Sequence, residues 1–257
     1  MSRRAGRGRV IACAAGLLLA LPAQAQPPTI AAAANQQAAM QALAAAYGTR
    51  TQPAPRLVFG ASGKLAAQVR SGAPFDLYCA ADGAYPAQLI ADGLALPPVA
   101  VFAQGRLIWW SRDRALARTP LARLDPAAIG RIAIANPRHA PYGARAEEAL
   151  RRAGLWPALQ SRLVIGENVG QAAHFAASGA ADAALLARSQ LHSAQLAGGH
   201  WSEVDPALHA PLPQACVVIR AGRAAPQARA FLAWLQGAQA RRILAGHGFD
   251  APGGETR

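Results

Sequence analysis

The chain has 257 residues, 53% hydrophobic and 15% charged, enough to bury a sizeable core in one or two domains. Its 26 Lys and Arg against 13 Asp and Glu give a formal charge of +13. The arginines are nevertheless spread along the chain, aromatic residues are few and no nucleic-acid motif occurs, so the charge reads as solvated surface and not as a nucleic-acid footprint.

Residues 1–10 carry Arg3, Arg4, Arg7 and Arg9 and no acid, residues 10–21 are apolar, and Pro22-Ala23-Gln24-Ala25 follows with small residues at its end. A basic start, a short apolar run and an Ala-x-Ala site predict a secretory leader, residues 1–25, cleaved after Ala25. The run is too short for a membrane span, which needs roughly 20 apolar residues. Cys13 falls inside the leader, too early for a lipid-attachment cysteine. Cys79 and Cys216 each lie in an apolar, strand-like run. They are expected as buried free thiols, with a single disulfide as the alternative in an oxidising compartment. No Cys/His cluster has metal-ligand spacing.

From there the chain repeats strand, turn, helix. Strands are expected at 29–33, 56–59 and 75–80, each followed by a helix: 37–47 with Met40, Leu43 and Tyr47 on one stripe, 64–69, and one containing Ala84, Ala87 and Leu89. Further strands are read at 106–110, 131–135, 163–165, 183–186 and 216–219. Further helices are read at 144–153 (Gly154 at its C-terminus), 170–177, 228–235 and 238–245, with a short one opened by Leu124-Asp125-Pro126. Trp109 and Trp110 are placed in a strand crossing between lobes. The alternation predicts an α/β fold with mostly parallel sheets covered by helices on both faces. In such sheets, ligands bind beyond the carboxyl ends of strands.

Four strand-to-helix turns sit at such ends: Ala33-Ala34-Asn35-Gln36, Gly60-Ala61-Ser62-Gly63, Pro141-Tyr142-Gly143 and Glu167-Asn168-Val169-Gly170. Helix starts have unpaired N–H groups and partial positive charge, so these turns suit an anion. On residue type alone, Asn35 and Ser62 read as caps of their own helices. Asp82 also reads as a cap, and His139 as a surface histidine. Ser62 as a hydrolase nucleophile lacks both a Gly-x-Ser-x-Gly setting and an evident His-Asp pair.

Ala32-Ala33-Ala34-Asn35, Phe59-Gly60-Ala61-Ser62-Gly63-Lys64-Leu65, Ser71 to Tyr78 with Ala80-Ala81-Asp82, Asn136 to Gly143, Glu167-Asn168-Val169, and Ile243-Leu244-Ala245 with Gly248-Phe249 together resemble, in order, the periplasmic molybdate-binding proteins of bacterial ABC transporters. The resemblance implies a two-lobed periplasmic binding-protein fold of type II with two crossover strands. Lobe 1 would take 27–105 plus 219–257, and lobe 2 would take 106–218. It implies a periplasmic, monomeric, non-enzymatic protein without cofactor. Such a protein would bind molybdate or tungstate and deliver it to a membrane ABC permease. Carried over by position, the oxyanion contacts are Asn35, the hydroxyl and amide of Ser62, and the amides of Tyr142 and Val169. A tyrosine that many relatives carry is replaced here by Ala187. The rivals are another small oxyanion, sulfate or phosphate, and a periplasmic serine hydrolase using Ser62.

Overall fold

The computed structural model describes residues 26–48 and 53–253; the expected leader and its cleavage site lie outside them. Ten strands form two five-stranded sheets. In chain order the elements are β1 (Thr29–Ala33), α1 (Gln37–Tyr47), β2 (Arg56–Gly60), α2 (Ser62–Arg70), β3 (Leu77–Ala80), α3 (Ala84–Ala91), β4 (Ala95–Gly105), β5 (Leu107–Ser111) and α4 (Arg114–Arg118). There follow β6 (Ile132–Ala135), α5 (Pro141–Arg152), α6 (Trp156–Leu159), β7 (Leu163–Gly166), α7 (Val169–Ser178), β8 (Ala183–Ala187), β9 (His200–Glu203), β10 (Leu212–Ile219), α8 (Ala225–Leu235) and α9 (Ala238–Gly246). The first sheet runs β2-β1-β3-β10-β4 and the second β7-β6-β8-β5-β9. Each belongs to one lobe of an α/β fold.

The first sheet is apolar on both faces, and alternation along its strands divides the core in two. Ile30, Ala32, Leu77, Cys79, Cys216 and Val218 face α1, α8 and α9, where Leu43, Phe231 and Leu244 meet them. Ala31, Tyr78, Ala80, Val217 and Ile219 face the other way, onto Leu65, Val69 and Leu89 of α2 and α3. The alanines of β1 are poor strand formers. They serve here because β1 is paired on both sides, by β2 and β3, and packed on both faces.

The sheets are mixed, not mostly parallel. β1 pairs β2 and β3 in parallel, and β6 pairs β7 and β8 in parallel. β10 is antiparallel to β3 and β4, and β5 is antiparallel to β8 and β9. The antiparallel member of each sheet, β10 or β5, is the strand that arrives from the other lobe. The chain passes from the first sheet to the second between β4 and β5 and returns between β9 and β10. β10 starts at Leu212, so residues 212–219 lie in the first sheet, while Leu212 packs in the core of the second. Trp109 and Trp110 sit inside the second sheet, fully buried, and not on the crossing itself.

Two strands went unread. β4 carries a Pro97-Pro98 pair with a cis bond between them, and proline argues against a strand except at a sheet edge. β4 is that edge. β9 is a short, mostly exposed edge strand of the second sheet.

The expectation of free thiols is overturned: Cys79 and Cys216 form a disulfide across 137 residues of sequence. The cause is register. β3 and β10 are antiparallel neighbours, Cys79 is directly opposite Cys216, and their Cα atoms are 4.1 Å apart. Directly opposed side chains in antiparallel strands are the closest pairs a sheet offers.

Candidate functional site

The carboxyl ends of β1, β2, β6 and β7 all point at the gap between the lobes, and each is followed directly or through a short loop by a helical turn. β1 leads into a single 3-10 turn, Ala34–Gln36, then α1; β2 leads into α2; β6 leads through residues 136–140 into α5; β7 leads into α7. The turns enclose one small cavity. Asn35, Ser62, Tyr142 and Val169 all line it, with Asn168 and Ala81 among the remaining residues. Its room for the centre of a water-sized sphere is ≈ 10 Å³. That volume is a sphere of roughly 1.3 Å radius, which with the ~1.4 Å radius of the water-sized sphere added leaves a space of roughly 2.7 Å radius, room for a compact inorganic ion and too little for a sugar or an amino acid.

Every lining side chain is uncharged. The polarity comes from helix ends. α2, α5 and α7, of 9, 12 and 10 residues, start on the cavity wall. Each contributes about half a positive charge at its N-terminus. No side chain caps α2 or α5, so the amides of Ser62 and Tyr142 lack an intrahelical partner. Asn168 does cap α7, taking the amides of Gly170 and Gln171 at 3.0 and 3.1 Å. The amide of Val169, just before them, is left over.

Asn35 and Ser62 do not cap their own helices. The Ser62 Oγ accepts the Ala81 amide at 3.1 Å, which leaves its proton to be donated elsewhere. Its carbonyl accepts from the Tyr78 hydroxyl at 2.7 Å. The Asn35 Nδ2 donates to Gln214 Oε1 at 2.8 Å. His139 directs its Nε2 to the Glu167 carbonyl at 3.0 Å and not to Ser62. Asp82 accepts the Tyr85 amide at 3.2 Å, as a cap does. Burial raises its carboxyl above the ordinary range, against hydrogen bonds from the Tyr85 and Ala84 amides.

Tyr142 is present by more than its amide. Its hydroxyl is buried against Gly105, where an added Cβ would lie 2.2 Å from it. It has no hydrogen-bond partner among the described residues. Burial raises its pKa; the charge of Arg188 and the Asn35 side chain beside it act in the opposite direction. Close approach elsewhere depends on Gly143: a Cβ there would sit 2.2 Å from the Ala135 carbonyl oxygen. Only glycine lets the start of α5 lie this tightly on β6.

The lobes meet around the cavity. The Gly63 amide donates to the His139 carbonyl at 2.8 Å. The Ser189 hydroxyl donates to the Asn35 carbonyl at 2.8 Å. Lys64 and Glu167 form an exposed ion pair at 3.0 Å. At the crossover, Arg188 binds Asp250, Glu203 and the Gly248 carbonyl, and Arg106 also reaches Asp250. A wider polar cleft of ≈ 530 Å³ adjoins the cavity through Ala34, Asn35 and Asn168.

Sequence reasoning missed Gln36, Gln214, Ser189 and the Lys64–Glu167 pair. Gln214 had a signal, being a carboxamide inside the apolar run 212–219. Gln36 had none, because its partners Ala80 and Gln214 lie on distant strands of its own sheet, and Ser189 and the Lys64–Glu167 pair had none, because they are contacts across the lobes. Among the described residues, no group of three or more His, Cys, Asp or Glu could hold a metal ion, and no helix is long and apolar enough to cross a membrane.

Residues 28–250 match the family described as bacterial extracellular solute-binding protein. The chain is similar to the molybdate-binding protein ModA of Azotobacter vinelandii, 34% identical over 242 residues, 93% of this chain and 96% of that protein. It is also similar to ModA of Rhodobacter capsulatus, 33% identical over 232 residues, 90% and 91% of the two chains. The solved structure of the Azotobacter vinelandii periplasmic molybdate-binding protein superimposes with a TM-score of 0.80 at 30% identity, covering 88% of this chain and 99% of that one.

Proposed function

We infer the function from one premise: the chain belongs to the bacterial extracellular solute-binding protein family. The ligand we propose is molybdate, with tungstate as its near equivalent. It is captured between the two lobes in the periplasm and delivered to an ABC permease, with no bond made or broken. The observation that carries this reading is the small uncharged cavity on which Asn35, Ser62, Tyr142 and Val169 converge at three helix starts.

A dianion leaving water loses hydration that only a dense set of hydrogen bonds replaces. Hydrogen bonds from N–H and O–H groups to an anion are shorter and stronger than neutral ones. The amides of Ser62, Tyr142 and Val169, the Ser62 hydroxyl and the Asn35 side chain supply such donors without a countercharge. A surrounding built of donors disfavours a protonated ligand such as hydrogen phosphate, whose own O–H needs an acceptor. Sulfate, alike in charge and shape, is separated by cavity size. The lobes we propose change over at Gly105-Arg106 and again before Leu212.

The test is calorimetry and thermal shift of the chain lacking residues 1–25, with molybdate, tungstate, sulfate and phosphate. A ligand that binds only the folded state raises its stability. We expect molybdate and tungstate to bind far more tightly than the other two. Preference for sulfate or phosphate overturns the ligand, and no binding of any oxyanion overturns the function.

A further inference from the structure

Beside the cavity lies a buried array of three carboxamides, Asn35, Gln36 and Gln214, at 2%, 1% and 0% exposure. Gln214 interrupts an otherwise apolar strand. Burying a carboxamide without hydrogen-bond partners is costly, and Gln214 is fully paired. Its Nε2 donates to the Leu212 carbonyl at 2.8 Å. Its Oε1 accepts from Asn35 Nδ2 at 2.8 Å and from Gln36 Nε2 at 2.9 Å. Gln36 Nε2 also donates to the Ala80 carbonyl at 3.0 Å.

The two ends of a carboxamide are alike in shape and opposite in polarity, and partners alone decide which faces where. Two ends of the array meet backbone carbonyls, which only accept, while Asn35 Oδ1 and Gln36 Oε1 have no hydrogen-bond partner among the described residues. Leu212 O therefore requires the nitrogen of Gln214, which turns Oε1 inward. That oxygen requires nitrogens from Gln36 and Asn35, and Ala80 O independently requires the nitrogen of Gln36. Flipping Asn35 would bring two carbonyl oxygens together. The backbone prepares this arrangement: a register shift between Gln214 and Ala215 breaks the alternation of β10, and such bulges re-aim side chains. Gly105 makes the room, since a Cβ there would lie 2.8 Å from Gln214 Nε2.

We propose that Gln214 is a positioning residue that fixes the polarity of Asn35, so that the N–H face and not the carbonyl of that side chain is offered to the anion. This rests on the reading of Asn35 as a ligand contact. Gln214 touches no ligand. Its effect passes entirely through Asn35, and it sits on the strand by which the chain returns from the second lobe.

The test is a double-mutant cycle read by calorimetry with molybdate: the unmodified protein, Gln214→Met, Asn35→Ala and the double variant. Residues coupled through one contact are non-additive. We expect Gln214→Met to weaken binding at least tenfold in the unmodified protein and less than twofold in the Asn35→Ala background. An equal loss in both backgrounds, or no loss in the first, overturns the proposal. Asn35→Ala binding as tightly as the unmodified protein overturns instead the placement of Asn35 in the site, a separate and recognisable failure. If Gln214→Met does not fold, Gln214→Asn keeps a carboxamide on β10 but withdraws it by one methylene from Asn35, and the same pair of outcomes applies.

Discussion

Replacing Gly63 by alanine puts a methyl group where the two lobes touch. In the closed arrangement that Cβ would lie 2.9 Å from the Cβ of His139 and 2.5 Å from the Tyr85 hydroxyl. Tyr85 ends in a flexible side chain and can swing away. His139 cannot easily do so, because its carbonyl holds the Gly63 amide at 2.8 Å. Overpacking of this kind costs about 1–3 kcal/mol, and a strained amide hydrogen bond adds about 1 kcal/mol. Together, about 2–4 kcal/mol weakens binding by roughly 30- to 1000-fold. In the capture mechanism proposed above, the lobes part when the ligand leaves and the contact is lost, and alanine in the first turn of α2 is a better helix former than glycine by about 1 kcal/mol. Calorimetry with molybdate and thermal unfolding without it should therefore move in opposite directions: affinity falls while ligand-free stability holds or rises slightly. Affinity within threefold of the unmodified protein would falsify the reasoning, since closure would then not bring residues 63 and 139 together.

Three other changes have expected outcomes. Asn35→Asp puts a carboxylate next to the anion; at about 4 Å and an effective dielectric near 20 the repulsion is on the order of 4 kcal/mol per unit charge, so titration should detect almost no binding, and retained affinity would move Asn35 out of the site. Replacing Cys79 and Cys216 together by alanine opens a loop closed across 137 residues, for which chain entropy gives about 5 kcal/mol; chemical denaturation should show a loss of this order, and an unchanged midpoint refutes the disulfide's stabilising role. Burial pushes the Asp250 carboxyl up, but hydrogen bonds and charge from Arg106 and Arg188 outweigh it and hold the group below the ordinary carboxylate range. A depressed carboxylate stabilises the fold above its unfolded pKa and loses that contribution as pH falls through its folded pKa. Stability measured from pH 7 down to pH 3 should thus fall less steeply in Asp250→Asn, and parallel curves count against the cluster as an acid-sensitive tie.

The element order and the four converging turns were legible because each rests on local chemistry: apolar periodicity, then glycine or small residues at a strand end. Helix starts were read late. α2 begins at Ser62, not 64, and α5 at Pro141, not 144. Proline and glycine in these first turns read as loop, whereas proline at the first helical position suits a helix start. The misread residues are the ones whose amides face the cavity. Nonlocal facts were not legible. The partnering of Cys79 with Cys216 depends on β10 docking beside β3 in one register, and no spacing rule reports register. Gln36 looks like any glutamine until β10 docks in the first sheet and brings Gln214 to it. β4 was hidden by Pro97-Pro98, which a pattern reading takes as a loop and an edge strand tolerates.

The sheet order β2-β1-β3-β10-β4 has a consequence for how the chain is made. β10 fills the slot between β3 and β4, and among the described residues β4 pairs with no other strand, bridging otherwise only Asp250 near the end of the chain. Synthesis delivers β4 more than a hundred residues before β10. Until the last fifth of the polypeptide has emerged, the first lobe is a half-sheet with a waiting edge, and Cys79 has no partner. The N-terminal lobe is thus completed last, and the cross-link that joins β3 to β10 records the moment when the two ends of the chain meet.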